Sequence, residues 1–260
     1  MSTNNAIGRI EVESQKQLFE AMHDRYSEAT TDQFAEAYKE EFIYRTFLRN
    51  LDGVESLMEL ASGVGTASGW LRDHKPGLQI SGCDISEAAA KDFTARHGRP
   101  CYVWDLTVPI EPEETFDAVL VVGGIHHLVA DLPTAFANIH RMLKPGGKLI
   151  MSEPNADFML EPLRKVWYKL DKQHFDADNE HALSHPLLAQ QHAQGFEPVS
   201  LTHIGGPAYF LLLQNWVLRV PNATKKWMAP PLMAAERIYH RLPGRFPFAT
   251  FIACWQKAAS

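Results

Sequence analysis

The stretch Glu59-Leu60-Ala61-Ser62-Gly63-Val64-Gly65 decides the fold of this chain. It begins in the apolar run Ser56 to Leu60, which predicts a strand, and it precedes a predicted helix from Ala67 to His74. Gly63 and Gly65 have no β-carbon, so the chain can turn tightly after the strand and pass close to a ligand. A strand, a tight glycine loop and a helix in this order are typical of a nucleotide-binding α/β unit.

Strands and helices continue to alternate beyond this loop. The further predicted strands are Gln79 to Asp84, Cys101 to Asp105, Phe116 to Val122, Lys148 to Glu153, Glu197 to Ile204 and Phe248 to Gln256. The further predicted helices are Glu87 to His97, Leu132 to Leu143 and His185 to Gln194. This order predicts a doubly wound α/β fold with a parallel sheet, right-handed crossovers and helices on both faces. Ligands bind such a sheet at the carboxyl ends of its strands.

The chain is expected to fold as a single domain. Its four segments are a helical cap at 1–52, a cofactor-binding core at 53–154, a lid insertion at 155–195 and carboxyl-terminal strands at 196–260. The cap is expected to break into two helices between Ser27 and Asp32. A helical insertion is predicted at 207–245, where the apolar run Ala208 to Leu218 precedes a helix expected from Leu232 to Leu242.

The composition favours a globular protein and argues against several classes of binding protein. The 260 residues carry a formal charge of -6 and are 45% hydrophobic, which predicts a globular protein and argues against charge-driven binding to nucleic acid. The three cysteines, Cys83, Cys101 and Cys254, have no pairing or metal-ligand spacing, so free thiols are expected. The sequence contains no signal core and no apolar run long enough to span a membrane, and we therefore expect a cytoplasmic protein.

Hydrogen-bond acceptors end three successive strands at the edge where ligands are expected. Glu59 ends the first strand, Asp84 the second and Asp105 the third. Asp84 is placed to accept from both hydroxyls of a ribose, and Asp105 to accept from the exocyclic amine of adenine. Ile85 and Leu106, which follow these aspartates, are expected to supply apolar faces for the ring.

These motifs resemble those of the class I S-adenosylmethionine-dependent methyltransferases, especially the type with a small-molecule methyltransferase domain. Two further pieces contribute to the resemblance, Phe116-Asp117 and Met142-Leu143-Lys144-Pro145-Gly146-Gly147-Lys148-Leu149. The similarity covers about residues 55 to 153. It implies a Rossmann-like sheet of seven strands, mostly parallel with an antiparallel last strand, and S-adenosylmethionine as the cofactor.

The resemblance also implies the cofactor contacts. They are Glu59, Gly63 and Gly65 at the methionine end, Asp84 at the ribose and Asp105 at the adenine. Tyr26, in the amino-terminal cap, would close over the methionine carboxylate. Ala61 departs from the family, which usually has glycine at this position, so the loop has to accommodate a methyl group.

Two histidines and a glutamate are the candidates for chemistry. His126 and His127 follow the turn at Gly123, which is expected to line the pocket floor, and Glu153 ends the fifth strand. His127 is the preferred general base, which mildly favours oxygen over nitrogen or carbon as the methyl acceptor. In the alternative interpretation His127 forms a wall or caps a helix, and Glu153 is a cap rather than a residue that orients the substrate.

Three further histidines, His174, His181 and His185, lie among acidic residues in the lid insertion. Their spacing matches no recognised ligand motif, so a solvated charged lid is favoured over a metal site. No metal is therefore expected.

Several functions remain open. The first is a methyltransferase acting on a small or hydrophobic metabolite. The second is an NAD(P)-dependent oxidoreductase, because Gly63, Gly65 and Asp84 also fit a dinucleotide fold, although the third glycine position falls on Ser68. The third is a non-catalytic protein that binds a cofactor or a partner.

The aromatic-rich insertion at 207–245 leaves its own alternatives. It is interpreted as core-facing lid helices, as the surface of a homodimer or as an apolar acceptor pocket. Its lysines and arginines also suit a peripheral membrane contact.

Overall fold

The computed structural model describes residues 32–164, 182–214 and 220–259. Tyr26, His174 and His181 lie outside the described residues, so their expected roles stay predictions. Within the described ranges no helix is long and apolar enough to cross a bilayer.

Seven strands of the described chain form one sheet. In chain order they are β1 (Ser56–Leu60), β2 (Gln79–Asp84), β3 (Cys101–Val103), β4 (Phe116–Val122), β5 (Leu143–Pro154), β6 (Phe196–Ile204) and β7 (Thr250–Lys257). Their spatial order is β3-β2-β1-β4-β5-β7-β6. The pairs from β3 to β5 are parallel, whereas β7 runs antiparallel to β5 and β6. The expected Rossmann-like sheet with an antiparallel last strand is confirmed.

Helices cover both faces of this sheet. They are α1 (Gln33–Tyr38), α2 (Arg45–Arg49), α3 (Thr66–His74), α4 (Glu87–His97), α5 (Leu132–Met142), α6 (His185–His192) and α7 (Asn222–Tyr239). A π-helical turn, Lys39–Tyr44, joins α1 to α2, and another spans Tyr209–Leu213. Side-chain caps fix where two of these helices begin. Ser86 Oγ accepts from the Ala89 amide at the start of α4, and the Asp131 carboxylate accepts from the Thr134 amide at the start of α5.

Alternate strand residues build two apolar cores, one on each face of the sheet. Leu57 and Leu120 belong to the core that α1, α3 and α7 cover. Met58 and Val119, their direct neighbours in the chain, belong to the core that α5 and α6 cover. Because both faces are buried, most side chains of the central strands are apolar.

Several strand boundaries differ from the predicted ones, including those of β3, β5 and β7, which spans Thr250–Lys257 rather than Phe248 to Gln256. β3 ends at Val103 rather than Asp105, because Asp105 accepts from the Thr107 amide at 2.8 Å and starts a turn. β5 begins at Leu143 rather than Lys148. Leu143 pairs with Phe116 across an irregularity in the register, so the expected turn is a bulged part of the strand.

Helix α7 corrects the expectation of a helix that starts at Leu232. It begins at Asn222 and continues through Pro230 and Pro231. A proline inside a helix removes one hydrogen bond and crowds the carbonyl four residues before it. That cost is offset here because Ala229 is buried in the core and Leu232 packs against the same cluster.

Two buried charges fasten α7 to its surroundings. Lys225, which is fully buried, donates to the Asp32 carboxylate and to Leu212 O. Glu236 is also fully buried, and its partners are Tyr38 Oη, Gly206 N, Ala208 N and His240 Nε2. Buried charges persist when they are paired and hydrogen-bonded. The network therefore holds α1, α7 and the turn after β6 in one arrangement.

Candidate functional site

The carboxyl ends of β2, β1, β4 and β5 lie side by side because these strands are parallel neighbours. Three contacts join the loops that follow them. The Gly63 amide donates to Asp84 at 2.8 Å, and the Gly124 amide donates to Glu153 at 3.0 Å. A β-carbon on Gly124 would come within 2.9 Å of that of Ala61. The predicted residues of four strands therefore meet at one edge of the sheet.

The loop at 61–65 has the tight geometry that its glycines predict. Gly65 has φ +69, and a β-carbon there would come within 2.5 Å of the Phe93 ring. Gly63 has φ +51, and a β-carbon there would meet nothing within 4 Å, so the space beside this backbone is open. Ala61 has φ +48, which L-residues with a side chain rarely adopt. Alanine at this position is therefore a source of local strain.

Asp84 ends β2 beside this loop and is half-buried. One carboxylate oxygen accepts from the Gly63 amide at 2.8 Å, and the other accepts from the Ser86 amide at 2.9 Å. An ionised carboxylate offers about two acceptor positions on each oxygen. Asp84 thus shapes the glycine loop and keeps acceptor capacity for the two hydroxyls of a ribose.

Glu59 lies at the end of β1, and its side chain is buried. It accepts from the Ser68 amide in the first turn of α3 at 3.2 Å. Burial raises its pKa to about 7; the bonds from Ser68 lower it, and the nearby charge of Asp84 raises it further. A buried carboxylate of this kind is stabilised by a cationic partner.

Asp105 and the two expected apolar contacts lie at the same edge. The Asp105 carboxylate accepts from the amide and the hydroxyl of Thr107 through one oxygen. Ile85 is half-buried directly after β2. Leu106 is 5% exposed and belongs to the core beneath α5, so most of its surface is already covered. Contact of these residues with an adenine ring stays a prediction.

The side chain of Glu153, a residue of β5, binds the backbone of the turn after β4. This side chain is fully buried and accepts from the amides of Gly124 at 3.0 Å and Ile125 at 2.8 Å. Its second oxygen lies 2.8 Å from Nδ1 of His126. Gly123, with φ +64, precedes this turn and donates to Ser152 O at 2.8 Å. Glu153 thus caps the short helix Ile125–His127, the alternative that the sequence left open beside a role in orienting the substrate.

His127 is the last residue of that short helix. Its ring centroid lies 3.9 Å from that of His126. Desolvation holds the pKa of His127 well below its usual range, and the neighbouring His126 lowers it further. The imidazole is therefore neutral near pH 7.

Sequence reasoning missed several polar residues at this edge. Asn155 follows β5, is 1% exposed and donates to Arg245 O and Phe248 O at 2.9 Å. It joins the end of β5 to the segment before β7. Its only sequence signal was its place after a strand. Glu236 gave no signal, because a glutamate in an amphipathic helix is normally exposed.

Among the described residues, no group of three or more side chains could hold a metal ion. His185, the one described histidine of the three in the lid insertion, accepts from Trp255 Nε1 at 3.3 Å and packs on Phe251. His185 thus belongs to the apolar core rather than to an exposed charged lid.

Comparison with known proteins shows similarity to methyltransferases. Residues 58–149 match the family model of the methyltransferase domain. A demethylmenaquinone methyltransferase of Streptomyces avermitilis is 30% identical over 100 residues, which are 38% of this chain and 42% of the relative. A ubiquinone/menaquinone biosynthesis C-methyltransferase of Desulfotalea psychrophila is 28% identical over 123 residues, 45% of this chain and 49% of the relative. The chain thus spans less than half the length of these relatives.

A solved structure extends the likeness to nearly the whole chain. A S-adenosylmethionine-dependent methyltransferase of Thermotoga maritima, described as a possible histamine N-methyltransferase, has a TM-score of 0.59 with 18% sequence identity. The match covers 93% of this chain and 99% of the other. At this identity the likeness establishes the fold alone.

The sheet order and the carboxylates at its edge define a methyltransferase-type α/β domain. The segment 58–149 matches the methyltransferase domain, and the chain shares its fold with S-adenosylmethionine-dependent methyltransferases. The donor set fits the cofactor of that family. Carboxylates suit its ammonium, hydroxyl and amine groups. The space beside Gly63 is open, and the amide of Gly63 donates to the Asp84 carboxylate.

Proposed function

We propose that this protein transfers a methyl group from S-adenosylmethionine to a small, apolar metabolite. One observation carries the proposal, namely that Glu59 and Asp84 lie at the carboxyl ends of β1 and β2, and Asp105 follows the neighbouring β3, beside an open glycine loop. Glu59 and the loop would hold the methionine end, Asp84 the ribose and Asp105 the adenine. The family assignment of residues 58–149 supports the same cofactor.

The bound cofactor would supply an electrophilic methyl group on a sulfonium. The task of the chain is to align the acceptor with that methyl group and to exclude water, since positioning alone removes much of the barrier. His127 is neutral and can take a proton from the acceptor. Glu153 acts through the turn, because it fixes the amides of Gly124 and Ile125 and the ring of His126.

The preferred acceptor atom is one whose reactivity increases when a base removes its proton. Oxygen is our preferred acceptor, since a hydroxyl gains reactivity when His127 removes its proton. An acidic carbon is the second candidate, and one curated relative is named as a C-methyltransferase. An apolar acceptor is supported by the curated relatives that are named as demethylmenaquinone methyltransferases.

Methyl transfer can be tested without knowing the acceptor. Purified protein, labelled S-adenosylmethionine and a cell extract are incubated together, and label is measured separately in the organic and aqueous phases. We expect label in an organic-soluble product. A protein that binds the cofactor but labels neither phase would contradict the enzymatic proposal and favour a non-catalytic binding protein.

The role of His127 has its own test. His127→Asn is expected to lower kcat about 100-fold with little change in the KM for S-adenosylmethionine, and the pH dependence of kcat should change. His74→Asn is the matched control, because His74 is exposed and stacks on Trp70. Equal loss in both variants, or no loss in either, would refute His127 as the base.

A further inference from the structure

Helix α7 has an apolar outer face. Trp227, Pro231, Ala234 and Ile238 follow one another at intervals of four, three and four residues, and all are exposed. Trp227 is 80% exposed and Ile238 66%. The opposite face carries Lys225, Ala229 and Glu236, which are buried. This helix therefore exposes an apolar stripe and buries two of its charged side chains, Lys225 and Glu236, which is unusual for a surface helix.

Further exposed apolar side chains continue from this face. Leu242 lies just beyond the end of α7, and Phe246 comes shortly after it. The Phe246 carbonyl accepts from the Met159 amide at 2.8 Å, which joins the two segments. We name the docking band by its members, which are Met159, Leu160, Leu163, Trp227, Ile238, Leu242 and Phe246. The band includes the segment after β5, so it adjoins the edge of the sheet that holds the candidate site.

The charge around the docking band is positive. Residues 220–249 contain one acidic residue, Glu236, and it is buried. Lys226 and Arg241 are exposed and form no ion pair with any described residue. Near Met159, the carboxylates of Asp157 and Glu161 are paired with Arg245 and Arg164. Exposed apolar groups flanked by uncompensated cations are the chemistry that an anionic bilayer surface recognises.

We propose that the docking band binds the surface of an anionic lipid bilayer. Trp227, Ile238 and Phe246 enter the boundary between headgroups and acyl chains, and Lys226 and Arg241 contact the anionic headgroups. A second copy of this chain is a poorer occupant, because a two-fold contact through the band would bring the same cations of both copies into one interface. The proposal is independent of methyl transfer, since docking requires no cofactor.

Vesicle flotation tests the proposal on the full chain without S-adenosylmethionine. The probes are vesicles of phosphatidylcholine alone and of phosphatidylcholine with phosphatidylglycerol. We expect flotation with the anionic vesicles, weakened by added salt, and much less with the neutral ones. Replacing Lys226 and Arg241 together by glutamine should weaken binding by about 30-fold.

The apolar part is tested by Trp227→Ser with Ile238→Ser. Both residues are exposed, so the melting temperature should stay close to that of the wild type, whereas flotation should be lost. The matched control is Leu187→Ser with Leu201→Ser, which removes two side chains that are 55% and 46% exposed outside the band. The control should float like the wild type.

Three results would overturn the proposal. They are no flotation with anionic vesicles, equal flotation of the Trp227→Ser, Ile238→Ser variant, and a wild-type dimer in size-exclusion chromatography that this variant converts to a monomer without any vesicle binding. The last result would assign the band to a second copy. A protein that floats but transfers no methyl group would leave the docking proposal intact and remove the enzymatic one.

Discussion

Asp84 and Asp117 are motif aspartates at opposite edges of the same sheet. Asp84 ends β2 at the carboxyl edge, and it accepts from the amides of Gly63 and Ser86. Asp117 lies at the start of β4, at the amino edge. It accepts from the amides of Glu55 and Ser56, from Ser56 Oγ and from Lys144 Nζ, which is 2.8 Å away.

The difference lies in what each carboxylate still has to offer. Burial alone would raise the pKa of Asp117, but the bonds from Lys144 and Ser56 lower it to about 2. Its acceptor positions are therefore used to fasten β1 to β4. Asp84 accepts one described bond on each oxygen. The same residue type thus serves the fold at one edge and is available to a ligand at the other.

The largest expected effect is the loss of cofactor affinity in Asp84→Ala. Two charge-assisted hydrogen bonds to the ribose would disappear, which corresponds to about 4 kcal/mol or about 1,000-fold in Kd. Equilibrium dialysis with labelled S-adenosylmethionine measures it. Asp84→Asn, which keeps an acceptor for Gly63, separates the loss of ribose contacts from a disturbed loop, and unchanged affinity in both variants would contradict the site.

The second effect concerns Glu59, whose pKa of about 7 lies above the ordinary 4.5 of a glutamate. The folded state holds this proton more tightly than the unfolded state. The stabilisation is therefore complete below about pH 4.5 and is lost as the pH rises through about 7.

Glu59→Gln should remove this dependence. The free energy of unfolding of the variant, relative to that of the wild type, should rise by up to about 3 kcal/mol between acidic and mildly alkaline pH. Urea unfolding at several pH values measures it. A constant difference between the two proteins would show that Glu59 ionises normally.

The third effect is a loss of stability without a loss of cofactor affinity, the opposite of what is expected at Asp84. Asp117→Ala should lower the free energy of unfolding by about 2 kcal/mol, because the amides of Glu55 and Ser56 and the Lys144 ammonium lose their partner. The Kd for S-adenosylmethionine should stay within about twofold of the wild type. A large loss of affinity in this variant would contradict the claim that Asp117 stabilises the fold whereas Asp84 binds the cofactor.

The smallest effect is expected at Ala61. Its φ of +48 is strained for alanine, so Ala61→Gly should relieve that strain, although the unfolded chain gains entropy. We expect a net gain of about 0.5 kcal/mol. Thermal unfolding measures it, with Ala61→Val as the contrasting variant that should be less stable than the wild type.

The sequence predicted the bounds of β1, β2, β4 and α4 as the structure has them. The middle residues of these strands are buried, and Ser86 and Gly98 mark the ends of α4. The start of α7 was missed, because proline is a local signal whereas the packing of Ala229 is a tertiary one. The buried pairs Lys225 with Asp32 and Glu236 with Tyr38 join residues far apart in the chain, and no local pattern carries them.

The candidate site divides in the same way. The positions of Glu59 and Asp84 follow from the ends of β1 and β2, which the sequence located, whereas Asp105 lies in the turn two residues beyond β3. The hydrogen bond between His126 and Glu153 could not be predicted in this way, because Glu153 lies on the adjacent strand β5. Asn155 was missed for the same reason, since its bonds to Arg245 O and Phe248 O depend on a distant segment.

The central claim is that the carboxyl edge of this sheet binds S-adenosylmethionine. Isothermal titration of the wild-type protein with S-adenosylhomocysteine, the demethylated product, tests it most directly. We predict one binding site per chain with micromolar affinity. No heat with this ligand, together with quenching of tryptophan fluorescence by reduced nicotinamide dinucleotide, would contradict the claim and favour a dinucleotide site.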